Sequence, residues 1–140
     1  MNGEDSQSGF HVFSELTKAS AIEQIPAERR FVTGSHRASV AAVANGEAQL
    51  AAIDAISFAM AKRYDPEITS QVSIIGHSIP KPGLPLITSK AQSENLPLLF
   101  GAVEKALSRL DKDTREALMI QSIVPANDTD YTVFLSSQSE

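Results

Sequence analysis

Cysteine is absent from the 140 residues, and so is tryptophan. Without a thiol the chain forms no disulfide, runs no thiolate chemistry and holds no cysteine-ligated metal. Aromatic residues make up only 6%, so aliphatic side chains and alanine must build the interior. Lysine and arginine number 12 against 17 aspartate and glutamate, a formal charge of −5. That balance argues against nucleic acid as the main partner, because phosphate backbones recruit basic clusters. It leaves a small anion open as a ligand, since backbone N–H groups and hydroxyls hold one with little net positive charge. No run of about 18 apolar residues is present. The opening "MNGEDSQSGF" lacks the basic and apolar regions of a signal peptide, so the chain as written reads as cytoplasmic. Catalytic signatures are missing too: there is no G-x-S-x-G, Walker A or G-x-G-x-x-G pattern. His11, His36 and His77 lack the spacing of a zinc site. The expectation is a non-enzyme with no cofactor and no metal.

What is present is a series of short apolar segments separated by helix-start and turn residues. Phe10, Phe13 and Leu16 repeat at helical spacing, with Ser6 or Ser8 placed to cap, and Pro26 ends the regularity. "RRFVTG" reads as a strand and turn. Ser35 then caps a helix running to about Asn45, with Gly46 at the position that wants a left-handed residue. "AQLAAI" reads as a buried strand, and Asp54 caps the next helix. Val72, Ile74 and Ile75 read as another strand, before a connector punctuated by Pro80, Pro82, Gly83 and Pro85. Leu96, Leu99, Phe100, Val103, Leu107 and Leu110 then define an amphipathic helix, with Asn95 as N-cap and Pro97 in its first turn. Asp113 and Glu116 suggest a capping box for one more helix. Short apolar strands alternating with helices predict an α/β layer with largely parallel pairing.

Three places can carry chemistry. Ser6, Gln7, Ser8 and Gly9 put two hydroxyls and several N–H donors at a helix start, where partial positive charge favours an oxyanion. Gly34, Ser35 and His36 repeat that logic and add an imidazole. Asp54 sits where a strand gives way to a helix, the edge at which open α/β sheets place ligands. It can bind a ligand donor or orient His36. Plain N-capping explains Ser6, Ser8, Ser35 and Asp54 equally well. Arg29 and Arg30 read as a solvated strand edge rather than a phosphate clamp.

The run "TGSHRASVAAVANGEAQLAAIDAISFAMAKRYDPE", followed by "PKPGLPLITS", resembles the phosphate/phosphonate-type substrate-binding proteins of ABC transporters. The upstream "DSQSGFHVF" is similar to that family's Ser-x-Ser-Gly loop. The resemblance is strong from about Asp5 to Ser89 and continues weakly to the C-terminal segment. It implies a partial type II periplasmic binding protein fold. That fold would be a three-layer-like α/β lobe with a short, largely parallel sheet, then crossing strands and C-terminal helices. The implied division is a second-lobe-like domain over 5–77, a hinge-like crossing over 78–92 and a helical segment over 93–140. The resemblance also implies non-covalent binding of a small phosphate- or phosphonate-like anion by Ser6, Gln7, Ser8, Gly9, Ser35, His36 and Asp54. It implies the membrane subunits of an ABC transporter as partners and a periplasmic or extracytoplasmic location. Members of that family are much longer, so the chain reads as their second lobe and C-terminal return. The apolar face of Leu96–Leu110 then lacks its usual cover, which predicts a homodimer through the C-terminal region. The alternative function is a homodimeric interaction or regulatory module that kept the lobe and lost transport.

Overall fold

Helix caps dominate the architecture of the protein. A computed structural model describes residues 1–3, 5–19, 25–83 and 85–132. Ser6 accepts a hydrogen bond from the Gly9 backbone N–H at 3.0 Å and starts a wide helical turn over Gln7–His11. The turn runs directly into α1, Val12–Ala19. Ser35 caps α2, His36–Ala44, through its hydroxyl and the Ala38 N–H at 3.1 Å. At the other end Gly46 adopts φ +76°. Its N–H bonds to Val43 O at 3.1 Å while the Glu47 N–H bonds to Ala42 O at 2.9 Å, the paired closure that needs a left-handed residue. Asp54 caps α3, Ala55–Tyr64. Pro66 opens α4, Pro66–Thr69, where its missing N–H costs nothing.

The chain divides into two units, residues 1–80 and the described residues from 81 onward. In the first, α2, α3 and α4 pack against one another. Among the described residues few are enclosed: Val40, Ala42 and Ala61 are the buried apolar side chains, joined by the polar Thr17, Ser39 and Thr69 and by Gly9. Ser39 is the most enclosed side chain among the described residues, at 1% exposure. Its hydroxyl shares a 2.6 Å hydrogen bond with Thr33, whose own hydroxyl also donates to Met1 O at 3.0 Å. Arg37 in α2 reaches Asp65 before α4 through two parallel 2.7 Å bonds. The second unit holds α5, Leu96–Ser108, α6, Lys112–Leu118, and the short α7, Asp128–Tyr131. None of its described residues is buried.

The predicted sheet is not there. Among the described residues no strand forms, which overturns the α/β lobe, its short parallel sheet and the crossing strands. The strand-like segments 30–33, 50–53 and 72–75 run singly. A strand is a pairing, not a local conformation, and its propensity is realised only on a half-buried, paired surface. Here Phe31, Val32 and Ile74 are about half exposed and Ile75 is 88% exposed, so no burial drives pairing. In the connector, Pro80, Pro82 and Pro85 remove ladder donors outright. The nearest approach to a sheet is one residue long. The Met1 amino group donates to Phe31 O at 2.7 Å and the Thr33 N–H donates to Met1 O at 2.8 Å, the bond pattern of a single parallel bridge opposite Val32.

Two cap assignments also shift. Asn95 stands at the N-cap position of α5 but makes no capping bond; its side chain donates to Gln92 Oε1 at 2.8 Å instead. The cap of α6 is Asp111, which accepts from the Thr114 N–H at 2.8 Å, so Asp113 lies inside the first turn rather than before it.

Candidate functional site

The cap chemistry that begins three helical segments also gathers their polar side chains. The Ser6–Gly9 turn, the start of α2 and the start of α3 meet at the imidazole of His36. Ser8 Oγ lies 2.9 Å from His36 Nε2. Asp54 Oδ2 lies 3.2 Å from the same nitrogen. Asp54 uses its other oxygen, Oδ1, to accept the Ser57 N–H at 2.8 Å. One carboxylate therefore caps α3 and faces the imidazole at once.

Burial pushes the Asp54 carboxyl up, but the hydrogen bonds from Ser57 and the adjacent His36 outweigh it. The net effect holds Asp54 below its ordinary value, so it is ionised at neutral pH. The His36 side chain is mostly enclosed and Asp54 about a third exposed, so the pair is neither dry nor fully solvated.

Of the residues expected from sequence, Ser8, His36 and Asp54 converge on one nitrogen. Ser6 is occupied as the cap of the turn. Gly9 is buried, and a Cβ there would overlap Asn2 Oδ1 and come within 2.8 Å of Ser6 Oγ. Gln7 contributes a buried Nε2 with no partner among the described residues, and so does His36 with Nδ1. Ser35 is exposed and spends its hydroxyl on the α2 cap, without a bond to the others. A separate groove of about 340 Å³, lined by Phe10, Phe13, Leu50 and Ala52, touches this cluster only at Gly9.

One participant and one residue of the neighbouring groove were not legible beforehand. Asn2 places its amide 3.4 Å from His36 Nε2, and its Oδ1 is buried without a partner among the described residues. The only sequence signal is a polar residue in a polar terminus. Arg30, expected on a solvated edge, instead lays its guanidinium 4.9 Å from the centre of the Phe10 ring and donates to Ile25 O at 3.0 Å.

The cluster lies within a stretch that carries a family signature. Residues 2–131 match the family described as ABC transporter, phosphonate, periplasmic substrate-binding protein. The chain belongs to that family. Comparison with curated proteins and with solved structures gives no match. Phosphonate-binding proteins of this family are solute-binding components of transport, located in the periplasm, and work with a small-molecule ligand and the transporter's membrane subunits.

Proposed function

We propose that this phosphonate-binding family member takes a small phosphate- or phosphonate-like anion non-covalently at the cluster of Ser6, Gln7, Ser8, Gly9, Ser35, His36 and Asp54. The observation that carries the reading is the set of buried polar atoms left over once the helices are capped. Gln7 Nε2 and His36 Nδ1 have no partner among the described residues, and leaving such groups unpaired is costly. An oxyanion offers several acceptor positions to groups of this kind. His36 suits the task because Ser8 and Asp54 stand on its Nε2 side, leaving Nδ1 for the ligand. Binding involves no covalent step.

The test is a titration with methylphosphonate and with inorganic phosphate, followed by nitrogen-edited NMR. Binding is expected to be weak, on the order of 1 mM, because Asp54 is partly exposed and the ligand is not enclosed. Saturable shifts at Gln7, Ser8 and His36 are expected, reduced in His36→Ala. No saturable shift by about 10 mM of either probe would refute the reading.

A second reading, a homodimeric interaction module, is favoured by α5. Leu96 and Leu99 are exposed there, and Leu98 is 74% exposed. An apolar helix face of this kind pairs with its own copy about a two-fold axis. Light scattering at micromolar concentration is expected to give a dimer; a monomer would exclude that assembly.

A further inference from the structure

The surroundings of His36 tie anion binding to a proton. Three elements put a side chain on its Nε2: Asn2 from the N-terminal segment, Ser8 from the first turn and Asp54 from the start of α3. Of these, Asp54 carries charge. Its Oδ2 lies 3.2 Å away, and its carboxyl is ionised at neutral pH. A carboxylate that close favours a proton on Nε2 over a lone pair. Ser8 Oγ, at 2.9 Å, is placed to accept that N–H. The Asn2 amide nitrogen is an uncharged donor at 3.4 Å, at the edge of hydrogen-bond range, and does not outweigh the carboxylate. Arg37, next in sequence, directs its charge to Asp65 through two bonds.

With Nε2 protonated, a neutral ring has a lone pair at Nδ1, which repels an oxyanion. A ring protonated on both nitrogens has an N–H there. In the free protein that second N–H is buried with no acceptor among the described residues, so it opposes protonation. An anion oxygen supplies the acceptor and removes the penalty. Charge acts in the same direction: a neutral ring beside ionised Asp54 leaves the pair negative, and the imidazolium neutralises it. We propose that His36 takes the anion as the imidazolium, so that ligand and proton bind together and Asp54 sets the coupling. The proposal rests on the anion reading above and adds its regulation by pH. Affinity is full below the pH at which the free ring gains its proton, and it is lost as pH rises through the value in the complex.

The test follows the His36 ring nitrogens by NMR across about pH 5–8, with and without methylphosphonate, in the full chain at matched ionic strength. With the probe, both nitrogens are expected to read as N–H, and the ring's titration midpoint is expected to rise by about one pH unit. An unmoved midpoint, or an Nδ1 without a proton in the complex, overturns the coupling. Methylphosphonate, like a phosphate monoester, takes up a proton of its own near neutral pH. Affinity in His36→Gln, which has no titrating ring, measures that contribution. The ratio of wild-type to His36→Gln affinity is expected to rise about tenfold from about pH 8 to about pH 6; a flat ratio overturns the proposal. Asp54→Asn keeps the cap and removes the charge, which frees Nε2 to accept and Nδ1 to donate in a neutral ring. Its pH dependence is expected to flatten, and a wild-type slope there would show that Asp54 does not set the coupling. Absence of saturable wild-type binding at every pH sinks the anion reading and the coupling with it, whereas binding with an unmoved midpoint removes the coupling alone.

Discussion

Asp54 does two jobs with two oxygens, and substitution separates them. Asp54→Asn keeps a capping oxygen for the Ser57 N–H, since asparagine caps as well as aspartate. Asp54→Ala loses the cap and is expected to cost about 1 kcal/mol in urea unfolding, with Asp54→Asn costing much less. Neither variant carries the carboxyl, so the two should share one response to acid while still differing by the cap. The folded Asp54 carboxyl sits below its ordinary 3.8, so it contributes stability that is complete above the unfolded value and lost as pH falls through the folded one. Asp65, lowered by its hydrogen bond from Arg37, and Asp111, lowered by its bonds from Thr114, act in the same direction. Unfolding midpoints measured at about pH 5 and about pH 3 should fall with acid in the wild type. They should fall less in Asp54→Asn; an equal fall would show that Asp54 is not linked to folding. At residue 9, Gly9→Ala is expected to displace Asn2 or Ser6 and to cost about 1–3 kcal/mol, the usual penalty of overpacking. A neutral result would mean the Asn2 amide is not held there.

At the scale of elements, the helix ends carry most of what the sequence could reveal. Ser35, Gly46 and Asp54 are local signals, each acting on backbone within a few residues of itself, and each ends or begins a helix where its chemistry predicts. Asn95 and Asp113 mislead because several polar residues compete at those starts, and the winner is set by backbone angles: Asn95 is helical at ψ 0° while Asp111 is extended at ψ 163°. The strands were legible as apolar runs and failed as structure, because pairing is a non-local property that a run of Phe31–Val32 or Ile74–Ile75 cannot declare alone. Within the site, Ser8 and Asp54 were readable as capping groups and His36 as an added imidazole that Asp54 can orient; that Ser8 reaches the same nitrogen was not. Asn2 had no local signature at all. One helix end remains strained: Met119 closes α6 at φ 55°, a left-handed angle that costs a side-chain-bearing residue about 1 kcal/mol. Met119→Gly is therefore expected to stabilise the α6 end, read as slower amide exchange at Arg115 to Ile120. Faster exchange would mean the methionine side chain contributes more than its backbone costs.

On the scale of the whole molecule, stability is uneven. Around Ser39, Val40 and Ala42 the backbone of α2 is enclosed, whereas no described residue from 81 onward is buried. Amide exchange is expected to be slowest in α2 and fast throughout α5. Protection of α5 that rises with protein concentration would accompany the dimer; protection independent of concentration would point to cover from within a single chain.

The small buried set has a calorimetric consequence. When Val40, Ala42 and Ala61 are the enclosed apolar residues among those described, unfolding uncovers little additional hydrocarbon to water. The heat-capacity increment should then fall below the about 12–15 cal/mol/K per residue of ordinary domains. The free-energy curve flattens accordingly, and thermal denaturation of the isolated chain becomes a broad, shallow endotherm rather than a sharp peak.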